Sequence, residues 1–290
     1  MKMDWISCNT CGADDYLATT SANEWPVGKC AQCGQVYVNP IPVHEAISRH
    51  HENHNGSTAA RCRPEEFSPD ALRRDEIQLK QHLVEIRRLK DQGWPAVRFL
   101  DVGCGAGVSI KAAAQLGWQA TGLDTDSRLI ESGKRQFGVD LRCTTMLDAR
   151  LPSNHFHFIR IREVIGHLYN PYEVLLETKR ILVQGGMLLL TTPNEAFFPN
   201  QIRNWLCGLP ASAANVQQSC CLHSFSQETI SKLLKRSGLS PLEVKMTAPI
   251  DPDYTTASNR FAQRILVSAL LSKGARLVGQ GSMLVAWATK

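Results

Sequence analysis

Hydrophobic and polar positions follow three regimes along the chain. Residues 1–45 keep no sustained period: short apolar stretches alternate with turn formers. Residues 46–95 open on a polar stretch rich in histidine (His50, His51, His54, Asn55, Gly56) and then take a helical period. Leu72, Leu79, Leu83, Ile86 and Leu89 recur with Arg and Lys between them, Ser68 stands at the N-cap with Pro69 at the first helical position, and Gly93-Trp94-Pro95 stops the run. From Val97 onward, short apolar runs alternate with amphipathic segments. Strands are predicted at 97–102, 120–123 (reaching Asp124), 156–165 and 187–192, with helices at 109–116, 127–137 and 171–182 between them. A helix at 227–237 and strands at 242–246 and 283–288 come after these. Strands alternating with helices predict an α/β domain with a doubly wound, mostly parallel sheet and right-handed crossovers. The expected organisation is a small unit at 1–45, a linker and amphipathic helix at 46–95, and the α/β domain at 96–290. Within that domain, residues 194–224 have irregular composition and are predicted to form a lid.

The first strand of this domain runs into Asp101-Val102-Gly103-Cys104-Gly105-Ala106-Gly107, ahead of a helix. Glycines there allow a sharp turn and a close approach by a ligand. A loop that cradles a pyrophosphate wants G-x-G-x-x-G, and the third glycine of that pattern falls on Val108 or Ile110, so a dinucleotide is disfavoured. The pattern is an acid followed by G-x-G-x-G.

With Phe99 and Leu100 before it, this loop resembles the first motif of class I S-adenosylmethionine-dependent methyltransferases, whose fold is Rossmann-like. The resemblance implies that Asp101 and the backbone of Gly103, Cys104, Gly105 and Gly107 face the methionine part of the cofactor. It continues in register. Thr121-Gly122-Leu123-Asp124 puts Asp124, followed by Thr125, where the family's acid accepts hydrogen bonds from the ribose. Met146-Leu147-Asp148-Ala149 puts Leu147 and Asp148 where the family contacts adenine. Glu163-Val164-Ile165-Gly166-His167-Leu168 resembles the family's Glu-Val-Ile-Glu-His-Leu run, and His223-Ser224-Phe225-Ser226 its later His-x-Phe-Ser pattern. Two positions depart from the family: His157 stands where an Asp is usual, and Gly166 where a second Glu is usual.

Cys8-Asn9-Thr10-Cys11-Gly12 and Cys30-Ala31-Gln32-Cys33-Gly34 are two Cys-x-x-Cys-Gly hairpins at the spacing of a four-cysteine zinc site. Four thiolates close a tetrahedral site and leave no position for water, so the expected Zn2+ has a structural role, in a segment too small for its own core. The adjoining segment, Val36 to Pro42, resembles the exit from such ribbons in methyltransferases near bacterial glycan and small-molecule biosynthesis genes, which often have tyrosines at the positions of His50 and His51. A further metal site on His50, His51 and His54 lacks an acidic or cysteine partner at suitable spacing. Cys220 and Cys221 are read as incidental.

The formal charge of +5 is mildly basic, short of the strong basic patch of a nucleic-acid binder; no DNA partner is expected. The N-terminus lacks an apolar signal region and no apolar run reaches the roughly 20 residues needed to span a bilayer, so no membrane association is expected and the chain is placed in the cytoplasm. Methyl transfer to an acceptor that keeps its proton wants a base near neutral pKa; His167 is the first candidate and His223 the second. Arg160 and Arg162 alternate in a strand expected to be buried, where they pair with acids or face an anionic acceptor. The expectation is methyl transfer from S-adenosylmethionine to a small-molecule or glycan-precursor acceptor. Two other readings stay open: an RNA methyltransferase using the basic helix (Arg73, Arg74, Lys80, Arg87, Arg88, Lys90), and a non-catalytic zinc-bearing interaction protein.

Overall fold

The computed structural model of the protein describes residues 2–22, 25–43, 69–90, 97–196, 221–247 and 281–290. The histidines at 50, 51 and 54, the Ser68 cap, Cys220 and most of the predicted lid lie outside the described residues. The N-terminal unit consists of short strands: β1 (Met3–Asp4), β2 (Tyr16–Ala22), β3 (Trp25–Cys30), β4 (Val36–Val38) and β5 (Ile41–Pro42). Helix α1 (Pro69–Lys90) precedes the α/β domain, whose elements run β6 (Arg98–Val102), α2 (Val108–Gln115), β7 (Gln119–Asp124), α3 (Ser127–Phe137), β8 (Asp140–Cys143) and β9 (Phe156–Arg162). A 3-10 turn (Ile165–His167) leads to α4 (Pro171–Ile181) and β10 (Leu182–Pro193); β11 (His223–Ser224), α5 (Gln227–Arg236), β12 (Ser240–Thr247) and β13 (Met283–Thr289) complete it.

The central sheet has seven strands in the order β12-β13-β10-β9-β6-β7-β8. The run from β10 to β8 is parallel, and β13 and β12 pair antiparallel at the other side. This is the expected mostly parallel, Rossmann-like sheet, with helices on both faces. One face packs Leu100, Val102, Ile159, Ile161, Leu188 and Leu190 against residues of α4 and α5, such as Leu175 and Leu233. The other packs Phe99, Phe158, Leu189 and Trp287 against α1, α2 and α3, through Leu79, Ile110 and Ile130. Phe158 stacks on Phe99 at 5.2 Å and on Trp287 at 5.9 Å between ring centroids, so one aromatic row crosses the sheet beneath α1. In α1, Leu79 is fully buried and Leu83 partly so, as the helical period predicts; Val84, off the stripe, is exposed.

Three boundaries differ from the pattern-based expectation. Strand β9 ends at Arg162 because the chain then turns, with Glu163 at φ 56°. Strand β10 starts at Leu182 and carries Gly185 and Gly186 within it, its register with β9 shifting between Leu182 and Met187. Strand β8 carries no predicted signal, since only Leu141 of its four residues is buried. Among the described residues no helix is long and apolar enough to cross a membrane.

Candidate functional site

The parallel strands β6, β7 and β9 deliver their motifs to the carboxyl edge of the sheet, where open α/β sheets bind ligands. Val102, the last residue of β6, pairs with Leu123 of β7 and with Ile161 of β9. The glycine loop therefore leaves the sheet between Asp124 and Arg162. Gly103 takes φ 76°, and a Cβ there would lie 2.2 Å from Val164 Cγ2, so the position admits no side chain. At Gly105 a Cβ would meet nothing within 4 Å, which leaves open space above the loop. The loop is tied to β7 by the Gly103 and Cys104 amides, which donate to Leu123 O at 2.8 and 3.0 Å.

Asp124 closes this edge. Its Oδ2 accepts from Gly105 N at 2.8 Å and its Oδ1 from Asp126 N at 2.9 Å, so each oxygen keeps capacity for a further donor. Thr144 N donates to Asp124 O at 3.0 Å, bringing the segment with Leu147 and Asp148 beside the carboxylate. Leu147 is exposed, and Asp148 accepts from Thr145 Oγ1 at 2.6 Å. Thr125 is exposed, with its carbonyl accepting from the Cys143 thiol at 3.7 Å. Burial pushes the Cys104 thiol well up, so it stays protonated.

Asp101 is placed differently from the expectation that it faces the methionine part of the cofactor. Its carboxylate is buried, with Oδ1 accepting from Arg160 Nε at 2.9 Å and Oδ2 from Arg160 Nη2 at 2.6 Å and Ser109 Oγ at 2.5 Å. Parallel register causes this: Asp101 of β6 lies directly beside Arg160 of β9, on the same face. Burial by itself would raise the carboxyl, but the guanidinium and Ser109 hold it below its usual range. Arg160 is held well above its usual value despite burial, with Asp101 and then Asp75 countering desolvation. The sequence flagged Arg160 by its alternation; its partner was the acid assigned to the ligand.

The two histidines are placed unequally. His167 sits partly exposed on the turn after β9, its Nε2 at 3.8 Å from the Cys221 thiol. Cys221 is thus a neighbour of the candidate base. His223 is buried, stacked between Tyr37 and Phe225, and burial lowers its pKa to about 4 although the Tyr169 and Leu168 carbonyls oppose that. Its Nε2 has no hydrogen-bond partner, and it has no open surface from which to take an acceptor's proton. The expectation of a second base at His223 is corrected by this burial: the ring packs the joint with the N-terminal unit.

That unit is joined to the domain by strand pairing. β11 pairs with β4, Tyr37 against His223, and completes a four-stranded sheet of order β11-β4-β3-β2. Val38 N donates to Leu222 O at 2.9 Å, and Leu222 N to Gly166 O at 2.7 Å. Gln35 takes a bond from Thr10 Oγ1 and gives one to Ser224 O at 2.7 Å, while Arg236 of α5 donates to Asn9 O at 2.5 Å and lies 4.0 Å over the Tyr172 ring. Neither Gln35 nor Arg236 carries a local sequence signal. The four thiols of Cys8, Cys11, Cys30 and Cys33 converge, with every Sγ within 4.8 Å of the others and two pairs at 3.5 Å. Tetrahedral zinc at about 2.3 Å from each sulfur needs sulfurs about 3.8 Å apart, so the donor set fits.

A family model described as a methyltransferase domain matches residues 55–244, more than half of the chain. The chain belongs to the class I S-adenosylmethionine-dependent methyltransferase family. A ubiquinone biosynthesis O-methyltransferase of Parvibaculum lavamentivorans is 31% identical over 103 residues, covering 34% of this chain and 41% of the relative. The chain thus spans about four tenths of the length of that curated relative. An S-adenosylmethionine-dependent methyltransferase of Mesorhizobium loti matches the fold at a TM-score of 0.50 and 15% identity, over 71% of this chain and 96% of that one. The [4+2]-cyclase SpnF matches equally, at 0.50 and 18% identity over 72% and 80%, so the fold alone does not name a reaction.

Both departures from this methyltransferase family have structural reasons. His157 lies near the amino end of β9, away from the loop, and its Nδ1 accepts from Arg98 N at 3.0 Å. At Gly166 a Cβ would stand 3.0 Å from His223 O and 3.4 Å from Cys221 Sγ. Glycine lets the segment that pairs with the ribbon close over the turn.

Two outcomes are expected. Asp101→Asn leaves Arg160 buried without its charge partner and is expected to lower unfolding free energy by about 3–5 kcal/mol at pH 7; a urea midpoint shift equivalent to under ~1 kcal/mol would show that the pair is not needed. His223 and His82, whose burial lowers their pKa values to about 4 and about 3, refuse protons that the unfolded chain binds below about pH 6.5. Stability is therefore expected to fall as pH drops from about 6.5 towards 4, and His223→Gln to flatten that limb. An unchanged slope in the variant, measured by urea unfolding at several pH values, would remove His223 from the account.

Proposed function

We propose that the chain binds S-adenosylmethionine along the edge formed by the glycine loop and Asp124 and directs its methyl group to a small-molecule or glycan-precursor acceptor. The observation that carries this reading is the meeting of Gly105 N with Asp124 Oδ2 at 2.8 Å, below open space at Gly105. The loop brings backbone amides and a carboxylate with spare acceptor capacity to one edge and offers no pyrophosphate cradle. Such an edge suits a nucleoside joined to an amino acid.

S-adenosylmethionine supplies a methyl group on a sulfonium, so the displacement needs positioning more than activation. In this reading the backbone of Gly103, Cys104, Gly105 and Gly107 lies along the amino-acid part, and Asp124 with Thr125 receives the ribose. Leu147 and Asp148 border the adenine, and Glu163 stands at the turn beside the loop. Asp101 acts through Ser109 and Arg160, holding β6 and β9 in register beneath the ligand. His167 takes the acceptor's proton. A curated relative named as a ubiquinone biosynthesis O-methyltransferase supports a small-molecule acceptor.

Zinc would be held by Cys8, Cys11, Cys30 and Cys33 as a closed cross-link. Its role in this reading is to brace β4, and through it β11 and the Gly166–His167 turn, so the ribbon positions one wall of the site. With His157 and Gly166 accounted for by packing, the reading of a retired, non-catalytic fold loses its two supports.

Calorimetric titration of the zinc-replete protein with S-adenosylmethionine is expected to give micromolar binding, weakened about tenfold or more by Asp124→Ala. No heat from folded protein would sink the cofactor reading. For the ribbon, one zinc per chain is expected by elemental analysis. Chelation is expected to speed amide exchange at Val38 and Leu222, which span the joint. Unchanged exchange after metal removal would confine zinc to the knuckles themselves.

A further inference from the structure

Between α1 and the sheet lies a polar layer of which the proposed function uses only Arg160. Helix α1 contributes Asp75, Gln78 and His82, and β9 contributes Arg160 and Arg162 on the same face. Its charges do not balance locally. Arg160 takes both carboxylates, Asp101 at 2.6 Å and Asp75 at 3.8 Å. Among the described residues, Arg162 has no carboxylate within ion-pair distance; its Nη1 donates to Gln78 Oε1 at 3.3 Å. The layer is also short of partners: Arg160 Nη1, Asp75 Oδ1 and His82 Nδ1 are buried without a hydrogen bond. A half-buried guanidinium with a long, neutral contact retains most of its desolvation cost and most of its donors.

The position of Arg162 selects the missing anion. Ile161 pairs with Val102, so Arg162 stands one step further along, beside Gly103 at the start of the glycine loop. Asp124 flanks the same loop from the opposite strand, with the 144–148 segment beyond it. A ligand with its nucleoside over β7 and β8 ends its amino-acid portion over β6 and β9. Guanidinium matches carboxylate in a two-pronged geometry that no neutral side chain reproduces.

We infer that Arg162, steadied by Gln78, receives the carboxylate of the cofactor's amino-acid end. The inference rests on the reading under Proposed function and assigns a residue that the glycine-loop motifs do not include. It makes the cofactor the counter-charge of a cation that meets no carboxylate among the described residues.

Two nucleosides separate this from a general effect on binding: S-adenosylhomocysteine carries the carboxylate, and 5′-methylthioadenosine lacks the amino-acid end. Both are titrated by calorimetry into the zinc-replete wild type, Arg162→Met and Arg162→Lys. Arg162→Met is expected to weaken S-adenosylhomocysteine by about tenfold to a hundredfold and to leave methylthioadenosine within about twofold of wild type, below the effect of one lost hydrogen bond. Arg162→Lys, which keeps the charge, is expected to recover part of the loss. Equal weakening of both nucleosides by Arg162→Met, or no weakening of either, would overturn the assignment. A wild type that binds neither nucleoside would overturn the cofactor reading itself, which keeps the two failures distinct.

Discussion

The side chains of Asp101 and Arg160 lie in the middle of the sheet, both about 2% exposed, joined by two hydrogen bonds between neighbouring parallel strands. A charge pair in such a place is not obviously stabilising: desolvation of two ions offsets much of their attraction. What the pair does is specify. Register between β6 and β9 is set here by a contact that a slipped strand could not satisfy, since a shift of one residue turns each side chain to the opposite face. The glycine loop begins two residues after Asp101 and the turn bearing Glu163 begins three after Arg160. The relative position of these two motifs is therefore fixed from below by one bidentate contact, with Ser109 adding the first turn of α2 to it.

A second joint fixes the site from the side. The N-terminal unit and the α/β domain read as separate segments, yet β11 belongs to the ribbon's sheet. The chain leaves the domain, adds a short strand to the ribbon and returns as α5. Because Leu222 N bonds Gly166 O while Val38 N bonds Leu222 O, the ribbon, the β11 strand and the turn with His167 form one hydrogen-bonded series. The cysteine knuckles are tied in twice more, by Gln35 to Ser224 and by Arg236 to Asn9. Four converging cysteines at one end of such a series are thereby linked to the geometry at the other.

The sequence made the α/β order legible because its signals are periodic and local. Strand β6 and its glycine loop, α3 and α4 all stand close to where the hydrophobic period places them, and Asp126 and Asn170 cap the two helices. The cysteine pairs were legible for a similar reason, since a Cys-x-x-Cys-Gly hairpin is a local turn. Contacts between residues distant in sequence were not. Arg160 announced itself by alternation, but pattern alone could not say whether it met Asp101, Asp75 or a ligand. His223 matched a motif, yet its neighbours Tyr37 and Phe225 decide that it is a packed ring. Edge strand β8 escaped notice because an edge with one buried side chain has almost no hydrophobic period.

The departures from the family pattern gain sense from these joints. A glutamate at position 166 would place its Cβ 3.0 Å from the carbonyl of His223, on the strand that pairs with the ribbon. The glycine suits the appendage: with β11 taken into the ribbon's sheet, a side chain on the turn below would crowd the His223 carbonyl. Arginine at 160 and 162 has a parallel logic. Arg160 turns Asp101 inward, so the motif acid cannot serve a ligand directly. Among the described residues the neighbouring cation at 162 meets no acid, and its neighbour across the sheet is the start of the glycine loop.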